Sequence, residues 1–505
     1  MARERELKLE IDPDAAAKLR SIPLFAASPR IRHQISVYFD TPKGKLRRQG
    51  WTLRVRQHDD GWTQTIKRTS RSAGLFDREE WEAPIMGQEP EFRAIEETPL
   101  KALFSARQFA RLVPLFRSDI ERTSWQLQRG DAHVEASYDE GVIEACDRSQ
   151  PVHELELELA QGETRHLFAI ARQIARRLPV RLGVTSKSER GFVLAGTLKS
   201  HSDKAPQVQI EPQASVAEGF AMIVAACLKH FRLNEPRLVR DRDAEAMHQL
   251  RVAIRRLRTA LWLFRPAIRG KDQATINDQL RRLTRELGVA RNIDVVLSSM
   301  SKGDPARPHL KRERDRLYAK ILKGFDTRRF RLFILDLLAW SETGDWRREK
   351  KAGMPLARFA AKRLDKLWKM IGERGSKLRS LSLEERHRLR IDSKKMRYAL
   401  EFLGGIGTLA GDARRDFIAA VEGIQDSLGH LNDLATRRAM LSWPIEDSKV
   451  EIGRCMRAAK RHLRKMEKIG PFWRSSNAQK STDKVALARR GKTRRSPPPP
   501  VTSQA

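Results

Sequence analysis

Over the first two hundred residues, short runs in which apolar and polar residues alternate are separated by clusters of Gly, Pro and Asp. This period of two is typical of β-strands that bury one face. A helix is also predicted around Glu163 to Arg177, before Pro179. We therefore predict a mainly antiparallel β-domain with a few helices. The predicted strands are Glu4 to Ile11, Trp51 to Gln57, Trp62 to Arg68, His133 to Tyr138 and His153 to Leu159.

Between Lys199 and Pro212 the chain becomes polar and contains proline, and beyond this segment the apolar period lengthens to that of an amphipathic helix. From Ser475 the chain is basic and proline-rich, with four prolines at 497–500, which predicts disorder. The fold class is thus α+β with two domains, an antiparallel β-barrel followed by an all-α bundle. The predicted boundaries are 1–200 for the β-domain, 201–212 for a linker, 213–472 for the helical domain and 473–505 for the tail.

The helical half contains an internal repeat. Met247 to Arg258 aligns with Arg386 to Arg397, and the two histidines of the match, at 248 and 387, are 139 positions apart. Further along, Leu287-Gly288 is matched by Leu428-Gly429 at an offset of 141. Self-similarity at this scale indicates a duplicated helical unit, which predicts two related bundles.

The net charge of +35 is concentrated in the helical half. Residues 1–210 hold 34 Lys and Arg against 30 Asp and Glu, residues 211–475 hold 58 against 33, and residues 476–505 hold 7 against 1. This excess indicates an anionic partner, which could be nucleic acid, a membrane surface or polyphosphate. Three cysteines without metal-ligand spacing, no apolar leader and no apolar run of membrane length predict a cytoplasmic protein with no membrane partner.

Several predicted strands carry a row of charge on one face, because residues two apart project from the same side of a strand. Either each charged face is solvated, or a closed sheet brings the rows around one lumen. We favour a lumen because the rows are segregated by sign. Carboxylates suit a hard divalent cation and bases suit phosphate oxygens, so metal with polyphosphate would satisfy both. The rows are Glu4, Glu6 and Lys8; Arg54 and Arg56; Glu80 and Glu82; and Glu154, Glu156 and Glu158.

Seven segments in this order resemble the CYTH superfamily of triphosphate tunnel metalloenzymes. The resemblance spans nearly all of residues 1–200, and its order makes it more specific than one Glu-x-Glu-x-Lys motif. The segments are Glu4-Arg5-Glu6-Leu7-Lys8, Tyr38-Phe39-Asp40-Thr41, Leu53-Arg54-Val55-Arg56, Thr65-Ile66-Lys67, Arg78-Glu79-Glu80-Trp81-Glu82, Glu154-Leu155-Glu156-Leu157-Glu158 and Ser186-Lys187-Ser188-Glu189-Arg190-Gly191.

The resemblance implies an eight-stranded tunnel that hydrolyses a triphosphate with Mg²⁺ or Mn²⁺. The metal would neutralise charge and orient an attacking water, and bases would stabilise the transition state. The implied metal ligands are Glu4, Glu6 and two of Glu154, Glu156 and Glu158, with Glu80 and Glu82 as further candidates. The cationic residues that the resemblance implies in catalysis, through contact with the phosphates, are Lys8, Arg54, Arg56 and Lys67. The implied further substrate-binding residues are Lys187, Arg190, Arg117 and Arg122.

Each copy of the helical repeat carries a basic stripe. At 100° per residue, the stripe of the first copy falls within an arc of about 80°, opposite an apolar face. Like charges one helical turn apart repel, so a solvated face does not explain the uniform sign, and we interpret the stripe as a binding surface. The residues are His248, Arg251, Arg255 and Arg258 in the first copy and His387, Arg390, Lys394 and Arg397 in the second.

The segment His248 to Arg258 resembles the CHAD domain, a helical module found behind CYTH domains. This resemblance implies polyphosphate binding through the basic stripes. Metal ligation by the two histidines is the other interpretation in the family. The arginines around His248 and His387, without a carboxylate cluster, favour charge-assisted phosphate contact.

The sequence favours hydrolysis of inorganic triphosphate in the barrel with polyphosphate binding by the helical domain. One alternative is a polyphosphate-binding or targeting protein without catalysis. Another is a tunnel enzyme acting on an organic triphosphate, thiamine triphosphate or a nucleotide. The inorganic substrate is preferred because of the domain pairing and not because of a specific residue. Nucleic acid is disfavoured, because no helix-turn-helix, OB or RRM signature occurs and the stripes lack interleaved aromatic residues.

Overall fold

The computed structural model describes residues 2–58, 61–68, 74–198, 205, 207–404, 406, 412–441 and 446–474. Most of the predicted tail, from residue 475, lies outside these residues, as do 201–204 and 206 of the predicted linker.

The N-terminal part of the chain folds into an antiparallel sheet. Its order is β5-β4-β3-β2-β6-β7-β8-β1-β9, and β1 also pairs with β5. That pairing closes β1 to β8 into a barrel, which confirms the predicted fold. All five predicted strands are present, and most extend beyond the predicted limits. The strands are β1 Ala2–Glu10, β2 Arg30–Asp40, β3 Trp51–His58, β4 Gly61–Arg68, β5 Leu75–Ile85, β6 Val113–Arg129, β7 Ala132–Ala145, β8 Arg148–Gln161 and β9 Arg181–Leu182.

Apolar residues of the strands face outward from the barrel. Leu7, Leu155 and Leu157 have no exposed surface although they alternate with the charged rows. On β3, Leu53 and Val55 join an apolar cluster that includes Phe104 and Phe109 from the segment before β6. The charged faces therefore line the closed interior, and the interpretation of these rows as solvated faces is wrong. Burial of the leucines outside the barrel stabilises this orientation by roughly 25 cal/mol for each Å² removed from water.

Helices form most of the remaining described chain. Short 3₁₀ turns occur at Leu19–Ser21, Pro23–Phe25, Phe92–Ile95, Pro99–Leu103, Asp345–Arg348 and Phe472–Arg474. The helices are α1 Pro13–Ala16, α2 Lys45–Arg48, α3 Ala106–Phe109, α4 Thr164–Arg177, α5 Lys187–Leu194, α6 Val216–Asp241, α7 Ala244–Phe264, α8 Lys271–Ser299, α9 Arg307–Phe325, α10 Arg328–Thr343, α11 Leu356–Ser376, α12 Leu383–Leu403, α13 Asp412–Leu441 and α14 Glu446–Ile469.

The repeat is visible in the packing of matched helices. The helices α7 and α12, which carry the basic stripes, each have 21 residues. A Cβ added to Gly288 of α8 would lie 3.8 Å from the guanidinium of Arg251, and one added to Gly429 of α13 would lie 3.3 Å from that of Arg390. In both copies, a glycine of the following long helix thus lies beside the second basic residue of the stripe, and at Gly429 an added Cβ would be tight against it.

The chain divides into two compact units. One comprises Met1–Pro206, Ala221–Arg258 and Lys271–Asp345, so the barrel and much of the first helical repeat belong to one unit. The other comprises Gln207–Phe220, Thr259–Gly270 and the described residues from Trp346 onward. Its core includes Phe264 stacked on Phe359. Among the described helices, none combines the length and the apolar character that a membrane span requires.

Candidate functional site

Strand register brings the charged rows together inside the barrel. Lys8 of β1 is paired with Glu156 of β8, and Glu154 of β8 is paired with Asp139 of β7. Asp139 is in turn paired with Arg122 of β6. Because paired residues on one face of a sheet have neighbouring Cβ atoms, these four adjacent strands place acids beside basic residues on the inner face of the barrel.

Three buried or partly buried carboxylates form a cluster suited to a cation. One oxygen each of Asp139, Glu154 and Glu156 lies within 4.8 Å of the others. Oxygen ligands of this kind suit a hard divalent ion. Sequence analysis missed Asp139 because the predicted strand stopped at Tyr138.

Bases surround this carboxylate cluster. Lys187, the first residue of α5, contacts Asp139 and Glu154 and lies 2.9 Å from Glu156. Arg122 donates two hydrogen bonds of 2.6 Å to Asp139 and one bond to Glu156. Other contacts come from Lys8 to Glu156 and from Arg190 to Glu154. Four of the predicted phosphate-binding bases therefore meet the carboxylate cluster directly.

The other predicted metal ligands on β1 are held by different bases. Lys67 Nζ lies 3.0 Å from Glu4 and 2.8 Å from Glu80. Arg78 of β5 donates to Glu4 at 2.9 Å and to Glu6 at 3.1 Å. Arg78 is a site residue that sequence analysis did not single out, although it opens one of the seven segments.

Lys8 links the two groups of charge, because its Nζ also lies 2.6 Å from Glu6. Glu82 lies near the barrel rim, where its carboxylate accepts a hydrogen bond from Thr65 at 2.9 Å. Glu158 has Glu6 as its partner in the register of β1 and β8.

Burial and charge determine the ionisation of the carboxylates. Burial alone raises the pKa of Asp139, Glu154 and Glu156, but nearby cations, Lys187 foremost for the two glutamates, hold each pKa below its ordinary value. The pKa of Glu6 is raised to about 7 by burial and by the charge of Glu156, against the opposing effect of Lys8. Burial, with Glu4 and Glu6, raises the pKa of Glu158 to about 7. The cluster of Asp139, Glu154 and Glu156 therefore stays anionic at neutral pH. Glu4 also stays anionic, because Lys67 and Arg78 lower its pKa against the opposing effect of burial.

Arg54 and Arg56 of β3 carry buried positive charge into the lumen. Arg54 lies 3.7 Å from both Glu80 and Glu82, and its buried Nε has no hydrogen-bond partner among the described residues. Arg56 donates to Ser36 Oγ at 3.0 Å. Burial, and the charges of Arg54 and Arg122, lower the pKa of Arg56 to about 9. An anion in the lumen would relieve this unfavourable excess of positive charge.

Arg117 was predicted to bind substrate, but the structure places it outside the lumen. Its side chain is 52% exposed and pairs with Glu144 on the outer surface. Arg117 and Arg122 are five positions apart on β6, and an odd separation puts two residues on opposite faces of a strand. One cavity is lined by the remaining predicted basic residues of the lumen except Arg190, together with Glu4, Glu6, Glu156, Tyr38, Thr52, Thr65, Arg78, Ser186 and Ser188. Arg190 instead contacts Glu154.

The first basic stripe is half-buried, with its charge crowded. Arg251 and Arg258 each have a buried Nε without a hydrogen-bond partner in the described chain. Burial is the main cause that lowers the pKa of Arg251 to about 10, and the positive charges of Arg255 and Arg291 add to it. Burial, then Arg291 and Arg255, also lower the pKa of His248 to about 4, so this imidazole is neutral at pH 7. Arg291 of α8 is an addition that the sequence repeat did not indicate.

Arg258 continues the stripe into a groove beside α8. The groove has several more basic residues, which extend the cationic surface beyond the predicted stripe. It is lined by Arg258, Thr275, Asp278, Arg281, Arg282, Thr284 and Arg285.

The second stripe differs from the first in the exposure of its histidine and in the ion pairs of its last arginine. His387 is exposed, whereas His248 is half-buried. Arg397 lies 3.6 Å from Glu401 and 3.3 Å from Glu422. Burial opposes the charge of Arg397, but these acids and Tyr398 raise its pKa above the ordinary value. The two copies thus share a sequence pattern, but burial and Arg281 lower the pKa of Arg258, whereas the pKa of its counterpart Arg397 is raised.

Comparison with known families defines the class to which the chain belongs. Residues 2–192 match the family model of the CYTH domain, and residues 222–442 match that of the CHAD domain. The chain is therefore a protein that carries a CYTH domain followed by a CHAD domain, which confirms both resemblances.

Individual relatives add detail to this assignment. An inorganic triphosphatase of Haemophilus influenzae is 31% identical over 202 residues, which cover 38% of this chain and 55% of that protein. The chain thus spans about half the length of that relative. An uncharacterized protein of Mycobacterium tuberculosis is 27% identical over 410 residues, covering 75% of this chain and 71% of the relative. The crystal structure of the CHAD domain from Ricinus communis has a TM-score of 0.43 and 25% identity, covering 53% of this chain and 92% of that chain.

Proposed function

We propose that the barrel hydrolyses inorganic triphosphate with the help of Mg²⁺ or Mn²⁺. The observation that carries this proposal is the cluster of Asp139, Glu154 and Glu156, which is buried, surrounded by Lys and Arg residues, and lines the cavity through Glu156. A cation site beside several phosphate-binding groups is the arrangement that phosphoryl transfer requires. The inorganic triphosphatase of Haemophilus influenzae, similar over this part of the chain, supports the choice of substrate.

The residues present fit a divalent cation. Asp139, Glu154 and Glu156 offer ionised oxygens close to one another, and Glu6 is near enough to Glu156 for their charges to interact. When bound there, the ion would neutralise phosphate charge and orient the attacking water. These carboxylates now hold Lys8, Lys187 and Arg122, so cation binding would release the bases toward phosphate oxygens.

The bases of the lumen then bind and orient the triphosphate. Arg54 and Arg56 hold the chain of phosphates from β3, and the orphaned Nε of Arg54 gains an acceptor. Lys8, Lys67 and Lys187 place ammonium groups around the reacting phosphorus, where they stabilise the charge that develops in the transition state. The enclosed lumen excludes bulk water, which strengthens each of these interactions. No covalent intermediate with the protein is needed.

A substrate screen tests the proposal. Phosphate release is measured for tripolyphosphate, longer polyphosphates, ATP and thiamine triphosphate, each with Mg²⁺, with Mn²⁺ and with excess chelator. We expect the largest kcat/KM with tripolyphosphate and no turnover with chelator. Faster turnover of ATP or thiamine triphosphate would assign an organic substrate, and no turnover with any of them would leave a binding protein.

We propose further that the basic stripes bind polyphosphate. Arg251 and Arg258 each have a buried nitrogen with no hydrogen-bond partner in the part of the chain that the structure describes. Together with the crowding of positive charge around His248, this favours a polyanion at the first stripe. Such binding neutralises several charges and releases ions, so the affinity should fall steeply with salt.

Full-length variants test this second role. Arg255→Glu and Lys394→Glu are compared with charge reversals at two exposed bases, Arg316→Glu and Arg415→Glu. Each pair of substitutions changes the net charge equally. We expect the stripe variants to lose far more affinity for long-chain polyphosphate, and wild-type protein to bind duplex DNA more weakly at matched phosphate and salt. Equal losses, or a preference for DNA, would indicate a generally basic surface.

A further inference from the structure

Residues 181–190, which run from β9 into α5, deliver two bases to the lumen. Lys187 contacts the carboxylate cluster, and Arg190 donates to Glu154. Ser186 caps α5 by accepting a hydrogen bond of 3.1 Å from the backbone N–H of Glu189. The position of this segment therefore decides where the two bases point.

Lys229 of α6 holds this segment at its helical end. Its Nζ lies 2.7 and 2.8 Å from the two carboxylate oxygens of Glu189, and both side chains are largely buried. Glu189 lies between Lys187 and Arg190 in sequence, so the same turn of α5 is tethered inward to the barrel and outward to α6. Lys229 belongs to the CHAD match and not to the CYTH match.

Two further residues of α6 hold the start of the same segment. Arg232 donates from Nε to the carbonyl of Leu182 at 3.0 Å, and Glu235 accepts from Arg181. With Lys229, these residues are spaced three apart, so they share one face of the helix. The side chains of Arg232 and Glu235 are 4% and 2% exposed and pair with each other. Removing one member of so buried a pair leaves an uncompensated charge, which makes the contact selective for this arrangement.

The inner side of α5 has little freedom. A Cβ on Gly191 would lie 2.0 Å from the ring of Phe116, so the backbone of the helix packs directly on the barrel. With eight residues, α5 is too short to be a stable helix without tertiary contacts. Its position is therefore fixed by what it packs against, which is the barrel on one side and α6 on the other.

We propose that α6 of the helical domain is a positioning element of the tunnel. Lys229 and Arg232 hold residues 181–190 so that Lys187 and Arg190 stay directed into the lumen when their carboxylate partners bind a cation. The helical domain thereby contributes to turnover as well as to binding. The kinetic part of this proposal rests on the proposed triphosphatase function, whereas the structural part does not.

Kinetics of the full-length protein test the proposal. We expect Lys229→Met to lower kcat/KM for tripolyphosphate at least about tenfold, chiefly through KM, since misplacing a substrate-binding group by about 1 Å costs up to about 10²-fold. Lys229→Arg should restore most of the loss. The matched control is Arg172→Met, which removes the contact of α4 with Asp336 of α10 and should change kcat/KM less than about twofold. A Lys229→Met variant that behaves like this control overturns the proposal.

Hydrogen exchange provides a readout that needs no turnover. The amides of residues 187–194 should exchange faster in Lys229→Met than in wild-type protein and Arg172→Met, because opening of α5 becomes less costly. The double variant Lys229→Glu with Glu189→Lys should restore slow exchange. If wild-type protein cleaves no triphosphate, the proposed function fails. Unchanged exchange in Lys229→Met would instead reject the proposal that α6 positions residues 181–190.

Discussion

Lys187 Nζ lies 2.9 Å from Oε1 of Glu156, so a base carried by a helix and an acid carried by a strand hold each other inside the barrel. Lys8 and Arg122 contact the same carboxylate. Glu156 is thus the point at which three candidate phosphate-binding bases meet a candidate metal ligand. Removal of this carboxylate should therefore affect both metal binding and phosphate binding.

Glu156→Gln should abolish metal-dependent hydrolysis. The amide keeps the volume but weakens the cation site, so we expect kcat to fall more than about 100-fold, beyond the 10–100-fold loss typical of residues that only orient a ligand. Phosphate release at saturating Mg²⁺ or Mn²⁺ measures this. Glu121→Gln, at an exposed position of β6, serves as control. Wild-type turnover with Glu156→Gln would remove this residue from the site.

Asp139→Asn tests the ligand that sequence analysis missed. Asp139 is fully buried and shares the cluster with Glu154 and Glu156. We expect the metal concentration for half-maximal activity to rise at least about tenfold. Titration with Mn²⁺ and then Mg²⁺ measures the shift. An unchanged midpoint with reduced kcat would instead show that Asp139 only orients Arg122.

Arg56→Met should separate stability from activity. Burial and the neighbouring arginines lower the pKa of Arg56 to about 9, so its charge is unfavourable without an anion. Without ligand, the variant should therefore have a melting temperature a few degrees above that of wild type, since each kcal/mol gained in the free energy of unfolding raises it by about 2–4 °C. Its kcat/KM should nevertheless fall by about 10²-fold or more, as for loss of one preorganised donor. A lower melting temperature would show that Arg56 stabilises the empty barrel.

Arg258→Ala should weaken polyphosphate binding more than Arg397→Ala does. Arg397 is already paired with Glu401 and Glu422, so it must give up these ion pairs before it can contact the ligand. Arg258 lines the basic groove, and burial and the charge of Arg281 lower its pKa, so its charge is unfavourable in the free protein. Affinity for long-chain polyphosphate at two salt concentrations distinguishes the sites. Equal losses would mean that the ion pairs of Arg397 open at no cost.

Polyphosphate should bind more tightly as the pH falls from 7 to 5. The pKa of His248 is lowered to about 4 by burial and neighbouring arginines, so it is neutral in the free protein. A bound polyanion offsets those arginines and raises this pKa, so binding takes up a proton. The change is at most about tenfold per pH unit. The charged groups that act on His248 are Arg291, Arg255, Glu245 and Arg251, with His230 also nearby.

Comparison with His248→Gln isolates this effect, since the variant should show a flatter pH dependence. The stability of the free fold has the opposite pH dependence, since it decreases as the pH falls. Because the unfolded chain binds the proton with the ordinary pKa near 6.5, His248 destabilises the free fold as the pH falls from there toward 4. Equal pH dependence of binding in wild type and variant would exclude His248 as the linked group.

The sequence by itself determined the periodic features of this protein. The period of two placed Glu4, Glu6 and Lys8 on one face of a strand, and the repeat identified matching stripes around Arg251 and Arg390. The separation of signs among rows favoured a lumen over solvated faces. Even the exclusion of Arg117 was available from its odd separation from Arg122. These features are local, because side-chain direction follows from position along one element.

The tertiary structure decided which charges meet. Strand register paired Asp139 with Glu154, the closure of the barrel brought Arg78 to Glu4, and packing of α5 brought Lys187 to Glu156. It also gave Arg397 of the second stripe two acidic partners, whereas burial and neighbouring arginines lower the pKa of Arg251 in the first stripe, although the two motifs are alike in sequence. Such pairings join residues far apart in the chain, and their free energies depend on burial and on every neighbouring charge, which no local period encodes.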